Sequence, residues 1–201
     1  MSEIRKGNIK LRAKIISAFP ACGKSTYYKE WSQYSPENVW RKRHNGEQVY
    51  NNIGEPCGEK IIDSDSSLFS WIYDENGNKT DKRNPEFPNN YIQHIKDHMN
   101  TEDVIFVSSH KVVRDLLKEE NIPYYLVYPK KDMKDEWMYR FKNRGNDESF
   151  IKFQDEHWEE FIDDMENETF PTKIVLEDYV NYNAITTTLM NEIMDYQEVA
   201  E

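Results

Sequence analysis

The run Ala18-Phe19-Pro20-Ala21-Cys22-Gly23-Lys24-Ser25 holds the residue types with the clearest chemistry in the chain. Read as A-x-x-x-x-G-K-S, it offers an anion the backbone N–H groups of Ala21, Cys22, Gly23, Lys24, Ser25 and Thr26. Such a loop opening a helix cradles phosphates, its lysine reaches the terminal phosphates and its serine hydroxyl serves Mg²⁺. Gly23 lets the backbone come close to the anion. The loop begins with Ala18 where most such loops carry glycine, so its turn must form without positive φ at that residue. Cys22 reads as a small filler in the loop, since Cys57, the second of two cysteines, lies far from redox-motif spacing.

These residues act only if the fold delivers them to one edge. Residues 13–19 form a short apolar run ending in a Pro/Gly loop, the pattern of a buried parallel strand passing into a helix, here expected from Lys24 to about Tyr34. Residues 37–59 show no sustained period and read as an insertion with a basic cluster at Arg41, Lys42 and Arg43. A second strand follows at 60–63, then turn or capping residues Asp65-Ser66-Ser67 and an aromatic stretch, Leu68 to Tyr73. A helix is expected from Asn84-Pro85 to about Asn100, with Tyr91, Ile92, Ile95 and Met99 as its core stripe. Strands at 103–108, 123–128 and 173–176 alternate with helices at 111–120, 131–144 and 147–166 and a terminal helix. Such alternation implies an α/β domain with a parallel sheet and right-handed crossovers, and 201 residues suit one domain, 1–201.

On the loop and on residues 15–28 and 62–71, the chain resembles the nucleotide-kinase branch of P-loop proteins, in particular small bacteriophage-type (deoxy)nucleoside monophosphate kinases. From Ser108 to Arg144 it is also similar to the gluconate and shikimate kinase group. The resemblance implies a three-layer P-loop kinase fold, with five parallel strands ordered 2-3-1-4-5, a lid-like region at about 131–150, and ATP with Mg²⁺ as cofactors. It further implies γ-phosphoryl transfer from ATP to a nucleoside monophosphate, with an acidic residue after the second strand facing the acceptor. Asp63 and Asp65 are the candidates. A carboxylate there can orient the acceptor or hold Mg²⁺ through water, so the metal set is Ser25 and Asp63. Asp65 can equally be a helix cap.

Strand 103–108 ends in Ser108-Ser109-His110 with no carboxylate, a departure from the usual Mg²⁺-holding strand that weighs against a mechanical ATPase. Arg140 and Arg144, four apart beside the Gly145-Asn146 turn, share a helix face and can close on the phosphates, or simply pair with surface acids. Lys111 starts a helix on the cleft side, Arg83 can grip an acceptor phosphate, and Trp71 can stack on a base.

With 26 Lys+Arg against 37 Asp+Glu, the net charge of −11 opposes general binding to nucleic acid, which stays open only as an acceptor in a local basic channel. No run approaches a membrane span or a signal core, so a cytoplasmic protein is expected. Two rivals stand beside the monophosphate kinase: a hydroxyl kinase acting on a small metabolite or a hydroxymethylated DNA base, and a nucleotide-binding regulator with little turnover. Oligomeric state is not legible.

Overall fold

The computed structural model describes residues 13–32, 61–177 and 184–195. The insertion at 37–59, its arginines and Cys57 lie outside them.

Seven strands are described: β1 (Lys14–Ala18), β2 (Ile61–Asp63), β3 (Trp71–Tyr73), β4 (Lys79–Arg83), β5 (Val104–Ser108), β6 (Tyr125–Pro129) and β7 (Thr172–Leu176). Five form one parallel sheet in the order β2-β5-β1-β6-β7, flanked by helices; numbered among themselves, they run second, third, first, fourth, fifth. The helices are α1 (Lys24–Ser32), α2 (Ser67–Ser70), α3 (Asn89–His98), α4 (Lys111–Glu119), α5 (Lys134–Asn143), α6 (Glu148–Glu156), α7 (Trp158–Asn167) and α8 (Thr187–Asp195). The central strands are apolar on both faces, as a sheet covered twice requires: Ile15, Ile16, Ile105, Phe106, Val107 and Leu126 are all buried. Among the described residues no helix is long and apolar enough to cross a membrane.

Register decides where chemistry can occur. Ala18 lies level with Ser108 on one side and Val127 on the other, so β1 and β5 end together at one carboxyl edge while β6 runs on to Pro129. That is the edge where ligands settle in open α/β sheets. β2 stops at Asp63, level with Phe106, and the chain stays attached for one residue more through Ser64 N–H donating to the Phe106 carbonyl at 2.9 Å. Tyr91 of α3 fastens this corner: its buried hydroxyl donates to the Ser64 carbonyl at 2.7 Å and accepts from the Ser108 N–H at 3.2 Å. The stripe Tyr91, Ile92, Ile95 and Met99 is core, as its spacing predicts.

Several local readings change. The aromatic stretch 68–73 divides into α2 and β3, and β3 pairs antiparallel with β4 across the turn at Asp74–Asn78. Asp74 stabilises that turn by accepting from the Asn76 and Asn78 N–H groups. The hairpin escaped the sequence reading because β4, Lys79-Thr80-Asp81-Lys82-Arg83, has no buried residue and hence no apolar alternation. α3 begins at Asn89 rather than Asn84, and the charged segment 147–166 breaks at His157 into two helices. Asp147 caps α6, its side chain accepting from Phe150 N–H at 2.7 Å. α5 ends where Gly145 takes φ +76, and Asn146 N–H returns to the Phe141 carbonyl at 3.2 Å.

Candidate functional site

The loop between β1 and α1 is tied down from every side but one. Phe19, 3% exposed, donates its N–H to Val127 O at 2.9 Å and sits edge-on to Trp158 at 5.6 Å. Pro20 O accepts from the Trp137 indole at 2.8 Å, and Cys22 O accepts from Ile185 N–H at 2.7 Å. β6, α5 and the segment entering α8 thus each fix one loop carbonyl or amide. Positive φ falls on Ala21 (+63°) and Gly23 (+99°) rather than on Ala18. A Cβ on Gly23 would stand 3.5 Å from Ala184 and Ile185, an ordinary contact, so glycine is required by backbone conformation rather than space. Cys22 is the small filler its position suggested: its Sγ lies 3.8 Å from Val127 O, and burial pushes its thiol up to about 12. A thiol so held is inert.

The side of the loop left open faces a cleft of about 1140 Å³. Lys24 projects from the first turn of α1, its Nζ donating to the Ala18 carbonyl at 2.6 Å. Its pKa is lowered chiefly by desolvation, while the carboxylates of Asp63 and Asp65 act to hold the proton and Arg144 acts to release it. The first N–H groups of α1 have no partner within the helix and lie at the positive end of its dipole. Phosphate would meet all of these together.

Of the residues singled out from sequence, Ala21, Cys22, Gly23, Lys24, Ser25, Thr26, Asp63, Asp65, Lys111, Arg140 and Arg144 line this one cleft. Two do not. Trp71 and Arg83 lie on the β3–β4 hairpin off the cleft wall, where the Arg83 guanidinium covers the Trp71 ring at 3.7 Å and Lys79 Nζ lies 4.7 Å from it. A tryptophan already stacked by two cations has little open face for a base. Asp65 also makes the local contact foreseen for it, accepting from Ser67 N–H at 2.8 Å.

The cleft's cations are mostly engaged. Lys111 pairs with Asp115 at 2.7 Å, and Arg140 pairs with Glu136 at 2.8 Å while stacking on Trp137 at 4.2 Å. Arg114, absent from the sequence reading, is 3% exposed and is held by Asp164 at 2.5 Å, by Glu168 and by the Ser109 carbonyl at 2.9 Å. Its signal was faint but present: it falls between Val113 and Leu117 on the buried face of α4, where an unpaired charge is not tolerated. His110, at the cleft mouth, has its pKa lowered by desolvation and then by the charges of Arg83, Lys24 and Arg114.

The chain matches no protein-family model, no curated protein and no solved structure. The site is therefore read from its own residues. Among the described residues no group of three or more His, Cys, Asp or Glu could hold a metal ion. Mg²⁺ in phosphate sites uses one or two protein groups, with water and phosphate oxygens for the rest. Ser25 and Asp63, both on the cleft wall, suit that smaller demand.

Proposed function

We propose that the chain is an ATP- and Mg²⁺-dependent phosphotransferase that passes a γ-phosphoryl group to an acceptor hydroxyl. One observation carries the reading: a lysine ammonium, desolvated on a strand-to-helix loop with positive φ at Ala21 and Gly23, shares its cleft with Asp63, Asp65, Arg140 and Arg144. Phosphoryl transfer needs little covalent help from the protein; it needs positioning and charge.

The loop amides and the N-terminus of α1 hold the donor phosphates, and Lys24 moves from the Ala18 carbonyl onto their terminal oxygens. Ser25 and Asp63 would hold Mg²⁺, which would supply charge neutralisation at the phosphates. Asp63 or Asp65 accepts a hydrogen bond from the acceptor hydroxyl and aligns it in line with the departing ADP. Arg140 and Arg144, on the α5 face beside the Gly145 turn, offset charge building on the transferred group and help exclude water.

The hydroxyl acceptor is favoured over a nucleoside monophosphate because Arg114, the buried cation on the cleft wall that could grip an acceptor phosphate, is committed to Asp164 and Glu168. A monophosphate acceptor is the second reading, favoured by Arg83, whose charge acts on His110 of the cleft wall.

The test is ADP release with ATP and Mg²⁺ across ribo- and deoxyribonucleoside monophosphates, polyols and DNA bearing hydroxymethylated bases, with Lys24→Ala as control. Lys24-dependent stimulation by a hydroxyl compound supports the proposal, and stimulation by monophosphates alone moves it to the second reading. Tight ATP binding with no stimulated turnover would make the chain a nucleotide-binding regulator.

A further inference from the structure

The proposed mechanism leaves Arg114 idle, although its guanidinium reaches the cleft wall from the buried face of α4. Three groups hold it there. Nε donates to the Ser109 carbonyl at 2.9 Å, Nη1 donates to Glu168, and Nη2 donates to Asp164 at 2.5 Å. The two acids are not equivalent. The Glu168 side chain is 19% exposed, stands off the cleft wall and is fastened from behind, where its second oxygen accepts from the Tyr124 hydroxyl at 2.7 Å. Asp164 is 31% exposed and stands on the wall itself, so its carboxylate occupies the cleft side of the guanidinium.

Charge separates their tasks. Glu168 by itself neutralises Arg114, and any neutral acceptor at position 164 would satisfy Nη2. Aspartate instead leaves the trio one charge negative, one guanidinium against two carboxylates, on the wall of a cleft whose other end is built for phosphate. Glu160, on the same wall, strengthens that field. An anion approaching here meets negative charge from a distance and an occupied guanidinium on arrival. Without Asp164 it would meet a guanidinium already held in place by Glu168 and Ser109, with Nη2 free to bind phosphate oxygens.

We propose that Asp164 is a specificity residue of the cleft: it covers the side of Arg114 that a phosphate could reach, and so turns away acceptors carrying a phosphate of their own while admitting uncharged hydroxyl compounds. As a choice of acceptor this rests on the phosphotransferase reading. As the exclusion of phosphate from Arg114 it stands apart from that reading.

Calorimetric titration of the full chain with inorganic phosphate tests it without turnover, in a Lys24→Ala background that weakens binding at the loop. Adding Asp164→Ala is expected to tighten phosphate binding at least about tenfold, as one new charge-assisted hydrogen bond would. Adding Glu160→Ala removes the same charge from the wall without uncovering Arg114, and is expected to change binding by less than about threefold. Arg114→Met combined with Asp164→Ala should erase the gain. Should Asp164→Ala fail to fold, Asp164→Asn keeps the shape of the side chain, and its gain must exceed that of Glu160→Gln. No gain in the Asp164 variants, or an equal gain in the Glu160 variants, overturns the proposal, as does wild-type turnover stimulated by nucleoside monophosphates. A phosphate site gained by Asp164→Ala in a chain without Lys24-dependent turnover on any acceptor would remove the phosphotransferase reading and leave the exclusion standing.

Discussion

The indole N–H of Trp137 donates to the carbonyl of Pro20 at 2.8 Å, joining the middle of α5 to the phosphate loop. Trp137 is fully buried, packs on Trp158, and carries the Arg140 guanidinium on its ring. One side chain therefore contacts both the loop and an arginine that lines the same cleft. Trp137→Phe keeps much of the packing and deletes the donor. Stability is expected to fall by about 0.5–1.5 kcal/mol, the net worth of a part-buried hydrogen bond, and ATP affinity to fall with it. Urea denaturation and ATP titration of the same variant check both.

Replacing Asp63 with Asn separates positioning from binding. The amide is nearly isosteric, so turnover is expected to fall by about 10²-fold or more, further than Mg·ATP affinity, which also weakens because the carboxylate shares the metal with Ser25. Steady-state kinetics at saturating acceptor supply the measurement, and a rise in KM for ATP alone would contradict the assignment.

Tyr91→Phe removes the hydroxyl that joins the Ser64 carbonyl to the Ser108 N–H. One buried and one half-buried backbone group then lose a partner where β2 and β5 end, and about 1–3 kcal/mol of stability should go with them. The readout is the shift in denaturant midpoint at unchanged slope.

Arg114→Met leaves Asp164 and Glu168 facing each other without their cation. Breaking a buried pair from one side costs about 3–5 kcal/mol. The expected loss is recovered in part by adding Asp164→Asn and Glu168→Gln, and a double-mutant comparison by thermal melting shows whether the coupling is real.

His94, packed on Phe69 at 4.7 Å and beside His98, has its pKa lowered from 6.5 by desolvation and then by its neighbouring histidine. The folded state binds fewer protons than the unfolded state as pH drops below about 6.5, so this contribution to stability is present above that value and lost as pH falls through the folded-state pKa. Melting temperature should rise from pH 5 to pH 7, and His94→Gln should flatten the slope.

The strand, loop and helix from Lys14 to Ser32 and the parallel sheet were legible because each rests on short-range signals: an apolar run, a Pro/Gly turn, and a helix start at Lys24 just after Gly23. Asp63 and Asp65 were legible by position, since the carboxyl ends of parallel strands gather at one edge. The β3–β4 hairpin was not, because its second strand is polar along its whole length and the pairing itself defines it. Neither was the role of Arg114, whose partners Asp164 and Glu168 lie on α7, far along the chain, nor that of Trp137, whose hydrogen bond depends on where α5 lands. The fates of Trp71 and Arg83 were set by each other, a cross-strand stacking that composition does not encode.

Ile185 closes the phosphate loop from behind by donating to the Cys22 carbonyl, yet it is made long after the loop itself. During synthesis the loop leaves the ribosome lacking the neighbour that fixes its geometry, and it acquires that neighbour only when the segment before α8 docks. Completion of the loop is thus timed to the docking of the segment before α8, so a nascent or C-terminally shortened chain would carry the loop without the Ile185 N–H that the Cys22 carbonyl meets in the folded chain.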